Sequence, residues 1–257
     1  MHGKSHRMRC LLNNRNISPT TNSYVALRNA CKHGHIGIVE LLLDDPRVDV
    51  REAIKDGYVL SWASEKGHTE ICKLLLQDPK LDLNRVFQES SCNGDTEAVK
   101  ILLMNPAVDP AAGKNHAIGV AASYGRSEVV QLLLADARIN PADNDNDAIQ
   151  RASAAGMNSL VIVELLVQDP RVDPSANNNR AIQFAALSGN LDTIEFLLQH
   201  PKVDPIAAID KALATAGLNN TYGMVSFLEK LKQQQKAAKP QIFSQGMFKY
   251  SVLNSVD

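Results

Sequence analysis

Residues 169–201 read DPRVDPSANNNRAIQFAALSGNLDTIEFLLQHP, and this stretch decides the fold. Small and apolar residues in its middle recur at helical spacing, and Gly189 follows them at the place where a helix often ends. A second apolar run, residues 194–198, stops before Pro201 because proline cannot continue a helix. The stretch therefore predicts two short helices joined by a tight turn, with turn-rich segments on both sides.

The same phrase recurs along most of the chain. Its second small residue serves as an anchor that returns every 27 to 33 residues. The seven anchors are Ala30, Ala63, Ser90, Ala121, Ala152, Ala185 and Ala216. An isolated pair of short helices is marginal in water, whereas stacked copies bury one another's apolar faces. We therefore expect an all-α solenoid of about seven helix-turn-helix repeats over residues 22–231.

The composition narrows the functional class. The formal net charge is −1, which leaves no broad electrostatic footprint for nucleic acid or an acidic membrane. No apolar run approaches the ~18 residues that a membrane span needs. The four cysteines are isolated, without a Cys-x-x-Cys pair, which favours reduced thiols. These features indicate a soluble, intracellular chain, most simply a cytoplasmic monomer, and leave a nuclear location open.

Motifs of enzyme and cofactor chemistry are absent from the sequence. It contains no glycine-rich phosphate loop and no nucleophile elbow. His33, His35 and His68 flank turn glycines without a partner at zinc-ligand spacing. The alternating Asp and Asn of residues 143–147 fail as a calcium loop, because Ala148 stands where glycine is needed. We therefore predict no catalysis, no cofactor and no bound metal, with the histidines bonding local backbone.

The repeated unit resembles the ankyrin repeat. The residues that carry the resemblance are Gly34-His35, Gly67-His68 and Gly189-Asn190, each followed by an apolar run with a Leu-Leu pair. An ankyrin unit has about 33 residues, and the family pattern implies two antiparallel helices with a projecting turn finger. The family's Thr-Pro-Leu-His opening is absent, and Asp-Pro or Asn-Pro replaces the usual glycine after most second helices. This variant is similar to the divergent ankyrin arrays of protists and large DNA viruses.

The resemblance also implies where a partner would bind. Ankyrin repeats contact partners through their finger tips and through the two residues before each closing glycine. On this chain the latter are Lys32 and His33, Glu65 and Lys66, Cys92 and Asn93, Ser123 and Tyr124, Ala154 and Ala155, and Leu187 and Ser188. The partner-binding residues that we predict from this set are Lys32, His33, Glu65, Lys66, Ser123, Tyr124, Leu187 and Ser188. The implied function is a non-enzymatic scaffold that holds a protein partner on its concave face and finger tips.

Some copies break the pattern. The connection over residues 81–86 is four residues shorter than the one over residues 172–181, so we expect a truncated finger before the third copy. Copy five carries two extra residues between Gly156 and Val163, which we expect in the turn between its helices. Trp62 directly precedes an anchor, and we expect it to pack into the stack.

The flanks leave other functions open. Residues 1–21 form a polar segment or a partial cap, and residues 232–257 form a linker with an apolar tail after Pro240. Three alternatives are open for the tail: it packs on the last repeat, it is disordered, or it docks a partner as in the targeting arm of a ligase adaptor. Deleting residues 240–257 would test the docking role. Alternatively, the basic start and the lysines of residues 230–239 bind nucleic acid or a membrane surface, which would make binding fall steeply with salt.

Overall fold

The computed structural model describes residues 2–14, 16–55, 58–79, 81–156, 158–218 and 222–251. Within these ranges the chain forms sixteen α-helices and no β-strand, which confirms the predicted all-α class. The chain divides into two compact units, Met1–Asn140 and Pro141–Asp257.

The first unit is a stack of helix pairs. Its helices are α1 (His2–Asn13), α2 (Thr21–Lys32), α3 (Ile36–Leu43), α4 (Val50–Lys55), α5 (Tyr58–Glu65), α6 (Thr69–Leu75), α7 (Leu83–Asn93), α8 (Thr96–Leu103), α9 (Ala112–Ser123) and α10 (Ser127–Leu134). Among the first helices of the pairs, α2 packs against α5 and α7 against α9. The second helices pack in the order α3, α6, α8, α10, and α1 packs against α3 as an additional second helix.

The second unit continues the same motif. Its helices are α11 (Asp143–Ala154), α12 (Ser159–Val167), α13 (Ala176–Ser188), α14 (Leu191–Leu198), α15 (Pro205–Leu218) and α16 (Tyr222–Ser251). Helix α13 packs against both α11 and α15, while α12 packs on α14 and α15 on α16. The predictions for the apolar side chains after Pro240 lie outside the described side chains and remain predictions.

The seven anchor positions are all buried. Ala30 is the most exposed of them at 3%, and Ala152, Ala185 and Ala216 have no exposed surface at all. Small side chains at these positions allow the helices of successive copies to approach closely, so the sequence period reports the contact between copies.

An Asp-x-Arg sequence after the second helices, Asp-Ala-Arg at residues 136–138 and Asp-Pro-Arg at residues 45–47, links successive copies. Arg138 donates from Nε and Nη2 to the two carboxylate oxygens of Asp136, at 2.9 and 2.6 Å, and from Nη2 to the Leu103 carbonyl at 2.7 Å. Arg47 repeats the arrangement at the start of the array, where its Nη2 donates to the Leu12 carbonyl at 2.9 Å. The motif therefore satisfies carbonyls near the end of the preceding second helix, which have no partner within that helix.

Three of the fingers contain an unusual left-handed turn. Copies four, five and six begin their first helix with three consecutive residues at positive φ, namely Gly113, Lys114 and Asn115; Asn144, Asp145 and Asn146; and Asn177, Asn178 and Asn179. Asn and Asp tolerate this conformation better than other side chains do. In copies four and five the third residue secures the turn, because Asn115 Oδ1 accepts from the Asn140 amide at 3.0 Å and Asn146 Oδ1 from the Asp173 amide at 2.7 Å.

The connecting segments of the third and fifth copies differ from those of the other copies. Before the third copy, residues 81–86 contain no residue at positive φ, and Asp82 instead accepts a hydrogen bond from the Arg85 amide at the start of α7, at 3.1 Å. In copy five the extra residues lie in the turn between α11 and α12. There Ala155 is extended, and the left-handed residue near the turn is Asn158 instead of Gly156.

Two turn glycines offer a matched test of the contact between copies. Gly34 and Gly67 have the same left-handed φ, 69° and 68°. A Cβ on Gly34 would lie 2.7 Å from His68 Cε1, whereas one on Gly67 would meet nothing within 4 Å. We expect Gly67→Ala to destabilise the protein by about 1 kcal/mol through backbone strain, and Gly34→Ala by about 1 kcal/mol more because the imidazole must move.

Urea midpoints of the two glycine variants check this difference. In a His68→Ala background the two substitutions should cost the same, because the ring that Gly34 accommodates is gone. Equal costs in the parent background would contradict the contact between His68 and Gly34.

Candidate interaction surface

Each first helix keeps a partly exposed stripe, which we call the first-helix stripe. In α13 it consists of Arg180, Phe184, Leu187 and Ser188. Between them, Ala181, Ile182, Ala185 and Ala186 are at most 1% exposed, and Gln183 is half-buried. This alternation follows from the 3.6-residue period of a helix that packs on two sides and leaves a narrow face open.

The first unit exposes every partner-binding residue predicted in it. These residues are Lys32, His33, Glu65, Lys66, Ser123 and Tyr124. Tyr124 is the most prominent, with 59% of its surface exposed. Lys66 Nζ lies 3.4 Å from Glu65 Oε1, and an exposed pair of this kind contributes little to stability. The six side chains are accessible to a partner, and their contact with one stays a prediction.

In the second unit, one position that the ankyrin resemblance places on the binding surface, Ala155, is buried. Leu187 is 39% exposed, and Ser188 is exposed and donates from Oγ to the Ala154 carbonyl at 3.0 Å. Ala155, however, is only 4% exposed, and its carbonyl accepts from Asn190 Nδ2 at 2.9 Å. The longer turn of copy five turns Ala155 away from the surface, so the residue does not belong to the stripe.

Trp62 also lies elsewhere than expected. Instead of packing into the stack it is partly exposed on the stripe of α5, and Lys32 Nζ lies 5.1 Å from its ring centroid. A cation at this distance from an indole face is attracted by the ring quadrupole. Trp62 and Lys32 therefore form a joined aromatic and cationic surface across α2 and α5.

In the second, fourth and sixth copies the residue after the closing glycine supports the preceding copy. Arg126 Nε donates to the Cys92 carbonyl at 3.0 Å, and Asn190 Nδ2 donates to the Ser153 carbonyl at 2.7 Å. His68 packs against Gly34 in the same way. These polar side chains hold the array together, and the described residues contain no cluster of three or more His, Cys, Asp or Glu suited to a metal ion.

Asp95 occupies this supporting position in the third copy, and it is only 6% exposed. Burial raises the pKa of its carboxyl to about 6, against hydrogen bonds from Ser61 and Asn93 and the charge of Arg126, which lower it. Glu128 lines the same cleft of about 640 Å³. The sequence shows Asp here where other copies have His or Arg, but it does not show that the carboxyl is buried.

Two cysteines of the first unit are inert for a related reason. Burial raises the pKa of both the Cys31 and the Cys72 thiol to about 12. Both side chains therefore stay neutral near pH 7, whereas a nucleophilic cysteine needs a lowered pKa.

Stacked helix pairs, turn fingers and an exposed first-helix stripe define the chain as an all-α repeat scaffold. A family model of three ankyrin repeats matches overlapping segments of the chain, residues 1–87, 60–145, 86–178 and 118–209. The chain belongs to the ankyrin-repeat family, as its sequence predicts. None of the curated proteins compared with the chain matches it.

The family brings a general function with it. Ankyrin repeats generally mediate contacts between proteins, and ankyrin-repeat proteins are typically non-enzymatic scaffolds. In the described part of the chain, every helix is too short or too polar to cross a membrane.

Proposed function

We propose that the chain is a non-enzymatic scaffold that binds a protein partner through the first-helix stripes and the finger tips. The observation that carries the proposal is the exposure of large apolar side chains on the stripes, Tyr124 at 59% and Leu187 at 39%. Such side chains are costly to leave in water, and tyrosine in particular is a common anchor of interfaces. Ser123 and Ser188 stand beside them and provide the polar surroundings that interface anchors usually have.

The stripes and fingers are held in place before a partner arrives. Each stripe belongs to a helix whose other faces are packed, and the bonds of Asn115 and Asn146 secure two of the left-handed turns. The tips carry exposed polar residues such as Lys114, Asp145 and Asn178. A preorganised surface loses less conformational entropy on binding, which favours affinity without a large interface.

The apolar anchors give the test of this function. Replacing Tyr124 and Leu187 together with alanine should weaken binding of the native partner at least ~30-fold, because truncating an anchor costs about 2 kcal/mol or more. The melting temperature should barely move, because exposed substitutions usually stay within about 0.5 kcal/mol. The partner is captured from the native cell, and its affinity for both proteins is then measured by calorimetry.

A matched control removes exposed apolar side chains from the second helices. Met104, at the end of α8, is 74% exposed, and Val161 in α12 is 47% exposed. Replacing this pair with alanine should leave partner binding unchanged. Equal losses of partner affinity in the two double variants would contradict a site on the first-helix stripes. A large decrease in melting temperature with Leu187→Ala would mean that Leu187 packs between the repeats instead.

A further inference from the structure

We propose that the first-helix stripe of the second unit binds an extended acidic peptide segment, with two carboxylates about three residues apart beside an apolar side chain. The inference rests on the proposed scaffold function and concerns only residues 141–257. It names the chemistry of the partner that this stripe recognises.

The stripe of the second unit is predominantly cationic. It carries Arg151, Arg180 and Lys211 against a single acidic residue, Asp147. Arg151 donates from Nε to Asp147 Oδ2 at 2.5 Å, so these two charges neutralise each other. Within the described residues, neither Arg180 nor Lys211 forms an ion pair with a carboxylate. Two cations on neighbouring helices therefore remain available to acidic groups of a partner.

The cationic positions lie beside apolar surface. The guanidinium carbon of Arg180 lies 5.1 Å from the ring centroid of Phe184, and Leu187 follows one turn later on the same helix. Stacking on the ring orients the guanidinium while its edge keeps N–H donors for a carboxylate. Helix α13 thus offers a fixed cation and a place for an apolar side chain within one stripe.

The spacing of the two cations sets the spacing of the acidic residues. Arg180 and Lys211 are 31 residues apart, which is one copy of the repeat, and α13 packs directly against α15. Thr215 Oγ1 donates to Gln183 Oε1 at 3.1 Å, so corresponding turns of the two helices lie side by side. Packed helices are about 8–10 Å apart. A peptide in the extended polyproline II conformation advances about 3.1 Å per residue and presents every third side chain on the same side, which gives carboxylates about three residues apart.

The acidic residues of copy five favour a peptide over nucleic acid. Asp143 and Asp145 belong to the finger of α11, and Asp147 follows them on the stripe. A continuous row of phosphates would meet these carboxylates, whereas a peptide can place its two acidic residues over α13 and α15 alone.

Selection from a random peptide display library on the whole 257-residue chain tests the proposal. We expect enrichment of peptides with Asp or Glu at positions i and i+3 and an apolar residue nearby. The strongest peptide is then synthesised and titrated against the variant Arg180→Glu with Lys211→Glu, for which we expect at least a ~30-fold loss of affinity. Changing the two peptide carboxylates to amides should produce a similar loss on the parent protein.

The matched control reverses the same number of charges away from the stripe. Lys230 and Lys236 are exposed on α16, and Lys230→Glu with Lys236→Glu should change peptide affinity by only about 3-fold through long-range electrostatics. Circular dichroism of all variants verifies that the fold is retained.

Three outcomes would overturn the inference: no enriched acidic pair, equal affinity for the stripe variant and the parent, or displacement of the peptide by single-stranded DNA at lower concentration than by the peptide itself. If the native partner still depends on Tyr124 and Leu187, the scaffold function stands and only the acidic specificity falls. If that dependence also fails, the proposed function is itself wrong.

Discussion

Ala152→Asp should destabilise the second unit on the order of 3 kcal/mol or more, because it buries an unpaired carboxylate between helices. Ala152 has no exposed surface, and its helix α11 packs against α12 and α13. Trp62 lies in the first unit, so the unfolding is best followed by far-UV circular dichroism during a urea titration.

The same substitution two residues later provides the control. Ala154 is exposed at the end of the same helix, so Ala154→Asp should change the unfolding free energy by only about 0.5 kcal/mol. Repeat arrays can unfold in segments, and hydrogen exchange would then show the loss of protection first in α11 and α13. If Ala152→Asp melts like Ala154→Asp, the stacking register derived from the anchors is wrong.

The repeat register was predictable from sequence because it depends on small residues alone. A helix that must approach a neighbour closely cannot carry a large side chain at the contact, and this requirement returns in every copy. Ala121 and Ala185, separated by two copies, are both fully buried for this reason. The exposed stripe was accessible to the same reasoning, since Tyr124 and Leu187 precede turn glycines whose position the period already defines.

The orientations of individual side chains were less predictable from the sequence, because each depends on the position of one residue within one helical turn. Trp62 is apolar and adjacent to Ala63, which suggested burial, yet one position along a helix turns a side chain by about 100°. Ala155 lies before a glycine like its counterparts, but two inserted residues lengthen the turn that follows it. The left-handed turns were also missed, since an Asn-rich segment predicts a turn without specifying three consecutive residues at positive φ.

The burial of Asp95 depends on neighbours from other copies and therefore escaped sequence reasoning. It has a consequence for the pH dependence of stability. The pKa of Asp95 is about 6 in the folded protein against 3.8 for an aspartate exposed to water, so the folded state binds the proton first as pH falls. The cost of burying the charge is fully present above pH 6 and disappears as the pH falls through 6 toward 3.8.

Asp95→Asn should therefore stabilise the protein at pH 7.5 and have little effect at pH 4. One pKa unit corresponds to 1.36 kcal/mol, so the gain at pH 7.5 is at most about 3 kcal/mol, a figure that already includes the attraction between Asp95 and Arg126. The amide oxygen of an asparagine can still accept from Ser61 and Asn93, which keeps the local hydrogen bonds. Urea midpoints of the parent and the variant at several pH values measure the difference directly.

Glu128→Gln is the matched control for this pH effect. Glu128 lines the same cleft but is exposed, so its neutralisation removes the same charge without relieving a burial cost. The difference in unfolding free energy between the Asp95→Asn variant and the parent should shrink steadily between pH 6.5 and 4. The unfolding free energy of the Glu128→Gln variant should stay within about 0.5 kcal/mol of the parent at every pH. A destabilising Asp95→Asn at pH 7.5 would mean that the attraction between Asp95 and Arg126 outweighs desolvation, and the third copy would then be held by an ion pair.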